Sequence, residues 1–333
     1  MATLTPVQTK LTGLYLGADA KTYTPYWDRF LAANVPFMSE TEDIKLDELF
    51  QEKVKGSILG RDEMIPAINV DGKKTMTITP AIVAEKIPTK ATDSILAAAV
   101  VAIEGTQVVD TKARIDQRNV SRIRTSIENK TEDVAAELFL EGSSAMTTES
   151  GRTITYDLGL NARAALDLSA ASNLMVEMSN KAQDYFAKWG RFPLIEVGKS
   201  VFSALANEIN NAQGKRNKLD YQGRLSTDGM TLEVEALGFS IRMLEPATKA
   251  SNGAVIDTAL YMQVYAPAVL VACYAGLEAV GANEDPMMVM SRVLVDKNIA
   301  NKETGRGSTF GKSAPFPAIT YVDMFDRYTV TLP

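Results

Sequence analysis

Residues 112–142, KARIDQRNVSRIRTSIENKTEDVAAELFLEG, contain no proline, and their only glycine is the last residue. Ile115, Val120, Ile123, Ile127, Val134 and Leu138 recur mostly three or four apart, an apolar stripe at helical period. Gly142 stands where a helix would end in the left-handed conformation. At 1.5 Å per residue such a helix is a rod of roughly 45 Å. A compact chain of this length has a radius of gyration of about 20 Å. One helix therefore spans most of the molecule, and the other elements are expected to pack along it.

The charges on this helix run against its dipole. Arg114, Arg118, Arg122 and Arg124 come first, and Glu128, Glu132, Asp133, Glu137 and Glu141 follow, whereas a helix favours acids at its start and bases at its end. Two readings stay open: a solvated face with arbitrary charges, or ends that each meet an oppositely charged neighbour, in this chain or in another copy. On the second, Arg118, Arg122, Arg124, Glu128 and Glu132 are candidate contacts between copies.

Composition narrows the chemistry. With 46% apolar and 23% charged residues in 333, the chain has an ordinary globular balance and length enough for two domains. The longest apolar run, residues 95–103, is about half of what a membrane helix needs. No basic-then-apolar leader opens the chain. The single Cys273, inside VLVACYAGL, excludes a disulfide framework, reads as a small buried hydrophobe and suits a reducing cytoplasm. There is no histidine, which removes His-based triads, His metal sites and the commonest general acid/base. Forty-one acids against 35 bases give a net charge of −6, so affinity for phosphate backbones should be weak. No membrane contact, metal or cofactor is expected.

Along the chain the elements read as α+β. Residues 1–35 form a polar arm with one short helix, Thr24 as N-cap and Pro25 in first position. Residues 54–84 carry a hairpin signal: Asp71-Gly72 suits a type I′ turn, and Lys73 and Lys74 lead into alternating threonine and apolar residues. So polar a hairpin has no core of its own and should lie on another surface, as an edge hairpin or as a projecting interaction loop. Beyond the long helix come a strand at 151–158, a helix at 171–189 closed by Gly190, a strand at 193–197 and a helix at 201–209 capped by Ser200. Residues 211–230 form a basic loop with Lys215, Arg216 and Lys218, followed by strands at 231–236 and 239–244. Residues 281–312 read as mixed and loop-rich, and the tail as strands. No βαβ unit or internal repeat occurs.

Two segments mimic a phosphate-binding loop. Gly198-Lys199-Ser200 lies between a strand and a helix, but Pro193 stands where the pattern requires glycine. Gly311-Lys312-Ser313 has Arg306 at that position, and Pro315 and Pro317 forbid the following helix. The acids Glu40, Glu42, Asp43, Glu284 and Asp285 read as solvated turns, and GKRNK at 214–218 lacks the aromatics of a single-strand binder. No catalytic residue is expected.

Order and spacing of several weak motifs carry a resemblance. Val35-Pro36-Phe37 leads into SETEDIKLDEL, and IVAEKIPTKA ends the extended segment. ELFLEG closes the long helix before TYDLG, and PLIEVGKSVFSAL precedes the tail SAPFPAITYVDMFDRYTVTL. Over most of its length the chain resembles the phage major capsid proteins of the lambda type, the major capsid protein E family, which share the Hong Kong 97 capsid fold. The resemblance implies an N-terminal arm (1–49), an extended loop (50–90), a peripheral domain (91–165) with its spine helix (112–142), an axial domain (166–305) and return strands (306–333). It places Asp71, Gly72, Lys73 and Lys74 over a neighbouring subunit and Lys215, Arg216 and Lys218 near the centre of a pentamer or hexamer. The expected function is the head shell of a tailed double-stranded DNA phage, without enzymatic activity. Expected partners are other copies, a separate scaffolding protein, a decoration or cement protein, a portal protein and weakly held DNA, in a virion assembled in the host cytoplasm. Rival readings are the shell of a cellular nanocompartment, a tail-tube subunit, and a nucleotide-dependent enzyme using residues 198–200.

Overall fold

The computed structural model describes residues 4–17, 22–45, 77–89, 111–171, 173–213, 223–225, 231–234, 239–246, 248–281, 285–301 and 306–333. Residues 95–103, the turn at Asp71–Lys74 and the loop with Lys215, Arg216 and Lys218 lie outside these.

The long helix is present as Thr111–Glu141. Its stripe of Ile115, Val120, Ile123, Ile127, Val134 and Leu138 is buried, and from Val134 onward Ala135, Ala136, Phe139 and Leu140 are buried too. Its last turns are thus enclosed on nearly every side. Gly142 follows at φ 78°, and its N–H donates to the Leu138 carbonyl at 2.9 Å, the left-handed closure that residues with a Cβ adopt only at a cost.

The first half of the helix rests on an antiparallel sheet ordered Leu294–Asn301, Arg306–Ser313, Val83–Thr89. Gly311, in the central strand, lets the two surfaces meet: a Cβ there would stand 2.5 Å from Ile123 Cγ2. Helix Pro6–Leu16 completes this layer. Its Leu11 and Tyr15 join Val120, Ile123, Ile127, Val293 and Val295 in a small separate core. This helix escaped the sequence reading, although Thr5-Pro6-Val7-Gln8 is a capping box with both bonds made, at 2.9 and 3.2 Å.

The second half enters the main core. It is flanked there by helix Pro25–Ala33 and by a sheet ordered Phe37–Met38, Leu270–Tyr274, Pro315–Ile319. Pro315 and Pro317 sit in the edge strand, where a missing N–H is tolerated. Beyond lies a mixed seven-stranded sheet ordered Ala164–Asp167, Phe325–Thr331, Tyr261–Tyr265, Leu194–Val197, Phe239–Met243, Thr231–Val234, Gly223–Leu225. Helices Leu174–Trp189 and Lys199–Gln213 pack against each other, and the second also meets strand Phe239–Met243. The hairpin Ser143–Thr147/Thr153–Asp157 leaves the spine directly after Gly142.

Some expectations are corrected. Residues 281–312 hold strands Pro286–Val289, Leu294–Asn301 and Arg306–Ser313 instead of loops. The packed Gly311 and buried Thr309 take positions on the face under the helix, while buried Ser308 points to the opposite face, so no apolar alternation marks this strand. The helix read as 201–209 begins at Lys199, which puts Ser200 inside the first turn and not at the cap. Thr24 holds the N-cap position of its helix without a side-chain capping bond. Among the described residues no helix is long and apolar enough to cross a membrane.

Gly311→Ala should lower unfolding stability by about 1–3 kcal/mol through overpacking against Ile123. Denaturant titration measures it, and an unchanged midpoint would contradict the seating of the helix on this strand.

Candidate assembly surfaces

Neither phosphate-loop mimic can hold a phosphate. At Gly198 a Cβ would overlap the carbonyls of Thr258 and Ala259, so the glycine serves close backbone packing. The backbone donors needed for a phosphate are taken: Gly198 N–H goes to the Tyr261 carbonyl at 2.7 Å and Ser200 N–H to the Ala259 carbonyl at 3.1 Å. Gly311-Lys312-Ser313 lies inside a strand paired on both sides. Lys312 donates to the Glu278 carbonyl and Ser313 Oγ to the Arg292 carbonyl at 2.6 Å. Asp43 accepts from Thr79 Oγ1, a tie between two segments 36 residues apart. Among the described residues no three metal-ligating side chains gather. Cys273 is buried, and burial pushes its thiol up to about 12, far from a reactive thiolate.

What the structure does bring together is a crossing of arm, spine and sheet. Arg29 of helix Pro25–Ala33 donates through Nε to Glu196 Oε1 at 2.9 Å, and both side chains are buried. The guanidinium lies 4.5 Å from the Tyr26 ring centre and 5.5 Å from that of Phe139. Phe139, from the spine, has Tyr26, Phe30, Tyr265 and Phe325 around it at centroid distances of 5.3–6.2 Å. The Phe139 carbonyl accepts Gln263 Nε2 at 3.0 Å. Sequence reasoning missed Arg29 and Glu196. The available signal was Glu196 itself, a charge inside the otherwise apolar PLIEV, where acids are rarely buried unless paired.

The spine's reversed charges find partners mostly inside the chain. Glu132 accepts the N–H groups of Tyr26 and Trp27 at 2.9 and 2.8 Å. It caps the first turn of helix Pro25–Ala33 from outside, which is why Thr24 need not. Arg124 pairs with Glu128 at 2.7 Å and donates to the Tyr15 carbonyl at 3.2 Å. Glu137 accepts Ser144 Oγ and Ser251 N–H at 2.6 and 3.0 Å. At the helix end Arg163 and Arg327 both donate to the Leu140 carbonyl. The cations that the dipole wants at a C-terminus thus come from distant chain segments.

Arg118 and Arg122 differ. They lie one turn apart and exposed, on an outward stripe continued by Thr125 and Asn129. Among the described residues neither makes an ion pair. Asp71, Gly72, Lys73, Lys74, Lys215, Arg216 and Lys218 fall outside the described residues.

Burial pushes the Glu132 carboxyl up to about 7, although the N–H groups of Trp27 and Tyr26 and the charge of Arg29 pull it down. In the unfolded chain it titrates in the usual carboxylate range, so between about pH 4.5 and 7 the folded state binds the extra proton. This group's contribution to stability is greatest below that window and declines as pH rises through it. Glu132→Gln should flatten that part of the stability profile in denaturant titrations from pH 4.5 to 7.5. A wild-type-minus-variant difference independent of pH would contradict the assignment.

The chain matches no family model and no curated protein sequence. Among solved structures it is similar to a protein assigned as the capsid protein of an E. coli CFT073 prophage, at 13% identity and a TM-score of 0.63, over 99% of this chain and 100% of that one. It is also similar to a phage-related protein of Bordetella bronchiseptica RB50, at 11% identity and a TM-score of 0.49, over 99% and 97%. The fold assignment rests on the first. The chain has an α+β fold of the Hong Kong 97 capsid type.

Proposed function

We propose that this chain is the major head protein of a tailed double-stranded DNA phage, a structural subunit that assembles with its own copies into pentamers and hexamers of a closed icosahedral shell. The observation that carries this reading is the fold likeness over the whole of both chains. In this reading residues 91–165 and 306–333 form the peripheral domain and 166–305 the axial domain. Arg118 and Arg122 present an exposed cationic stripe to a neighbouring subunit. Asp71, Gly72, Lys73 and Lys74 lie over an adjacent copy, and Lys215, Arg216 and Lys218 lie near the centre of each ring. Arg124, Glu128 and Glu132 act chiefly within the subunit.

The work of such a protein is geometric. Large buried interfaces between identical copies close a shell without a catalytic step. The net charge of −6 keeps the lining from gripping DNA tightly. A separate scaffolding protein, a portal protein and a decoration or cement protein are the partners this role calls for. The site of action is the virion, with assembly in the host cytoplasm.

Light scattering and negative-stain microscopy of the chain, expressed alone and with its genomic neighbours, test this. Closed shells, or rings of five and six subunits, are expected. A monodisperse monomer or dimer in both preparations would contradict the proposal.

A further inference from the structure

Helix Leu174–Trp189 ends in an aromatic knob that the chain leaves uncovered. Phe186 and Phe192 are 42% and 54% exposed, yet they stack on each other with centroids 4.5 Å apart and planes inclined by 24°. The helix beneath is held firmly: Tyr185 OH donates to the Met324 carbonyl at 2.9 Å and accepts the Ala266 N–H at 3.0 Å. Lys188, whose ammonium lies 4.7 Å from the Trp189 ring centre, and Arg191 are exposed neighbours of the pair in sequence, with exposed Asp184 one turn earlier. The open parts of the two rings form one small apolar patch on the subunit surface.

Elsewhere the chain holds a matching hole. Hairpin Leu277–Val280/Pro286–Val289 stands off the strands Leu294–Asn301 and Arg306–Ser313, leaving a groove, open to solvent along one side, of about 390 Å³. Val280, Met287, Met288 and Phe310 are among the apolar residues that line it. An apolar cavity of about 150 Å³ holds a benzene ring, so this one has room for two phenyl rings. Val280 is 56% and Met288 38% exposed at its mouth. The hairpin is anchored by Gln8, whose amide donates to the Val280 carbonyl at 3.1 Å and to Asp296 at 2.8 Å. Lys312, in the cavity wall, is engaged by the Glu278 carbonyl. Glu278, which lines the groove, and Asp285, the residue before lining Pro286, are exposed acids.

We propose that copies of this chain join head to tail, the stacked Phe186–Phe192 pair of one copy seating in the cavity between the hairpin and the strands of the next. This names a contact within the shell assembly proposed above and rests on that reading. Charge selects the arrangement. Knob against knob would bring Lys188 and Arg191 of two copies together, whereas knob in hole sets them against Glu278 and Asp285. A single contact of this kind between unlike surfaces runs on into a ring or a chain, and only a reciprocal exchange of two knobs across a twofold axis would stop at a dimer. Flexible thioethers at Met287 and Met288 suit a hole that must close around rings.

The test is sedimentation velocity over a concentration series, with microscopy of particles from co-expression, for the full chain and its exposed-site variants. Phe192→Ala, which leaves every charge in place, should weaken association about thirtyfold, as expected for a central aromatic anchor. The pair Lys188→Glu with Arg191→Glu should abolish it, as should Glu278→Lys with Asp285→Lys. All four together should restore it, with unchanged circular dichroism throughout. Wild-type association in Phe192→Ala or in either reversed pair, or no recovery in the fourfold variant, overturns the proposal. If shells form regardless of these changes, the shell reading survives and this contact falls. A wild-type chain that stays monomeric alone and with its neighbours overturns both.

Discussion

The buried ion pair between Arg29 and Glu196 is the constraint around which the subunit closes. Two charges withdrawn from water cost several kcal/mol each unless each finds its partner. Here the pair spans segments remote in sequence, a helix of the N-terminal arm and a strand of the large sheet. Phe139 of the spine and Tyr26 lie against the guanidinium. Without the arm, Glu196 would lose its close partner and be left with Arg242 at 3.9 Å, and the spine cannot shift without opening the aromatic group around Phe139. The arm, lacking a core of its own, becomes part of the folded body through this crossing.

The spine carries the same logic to both its ends. Its start is seated by the absence of a side chain at Gly311 and by the small core under helix Pro6–Leu16. Its finish is held by Arg163 and Arg327 at the Leu140 carbonyl and by Gly142 in the left-handed conformation. A helix charged against its own dipole is stable here because tertiary partners supply what local sequence withholds. Glu132 is the clearest instance: unhelpful to its own helix, it caps another one.

Elements with a periodic signal were legible in the sequence. The spine's stripe and its terminal glycine, the helix ending at Gly190 and the strand of PLIEV were read within a few residues of where they stand. Strands Leu294–Asn301 and Arg306–Ser313 were not, because the helix-facing positions of the second are filled by Thr309 and Gly311 beneath bulky residues of the helix. The size of an inward residue is dictated by its neighbour, and a single sequence does not show the neighbour. The crossing was illegible for the same reason: Arg29 looks like any arginine on an amphipathic helix until Glu196 is placed beside it. The reversed charges of the spine signalled distant partners but could not name them. Most acids turn out to be occupied within the chain, while Arg118 and Arg122 face outward.

On the shell-subunit reading proposed above, neighbouring copies would load the arm, the spine and the sheet separately, so the subunit must behave as one body. The direct test of that unity is the coupling energy between Arg29 and Glu196, from denaturant unfolding of Arg29→Met, Glu196→Gln and the double variant. Each single change should cost about 3 kcal/mol by taking from a buried charge its closest partner, Glu196 keeping Arg242 at 3.9 Å and Arg29 the Pro25 carbonyl at 2.8 Å. The double variant should lose clearly less than the sum, with a coupling of about 2 kcal/mol or more. Losses that add within about 0.5 kcal/mol would mean that the two residues act independently. The crossing would then not be what binds the arm to the sheet.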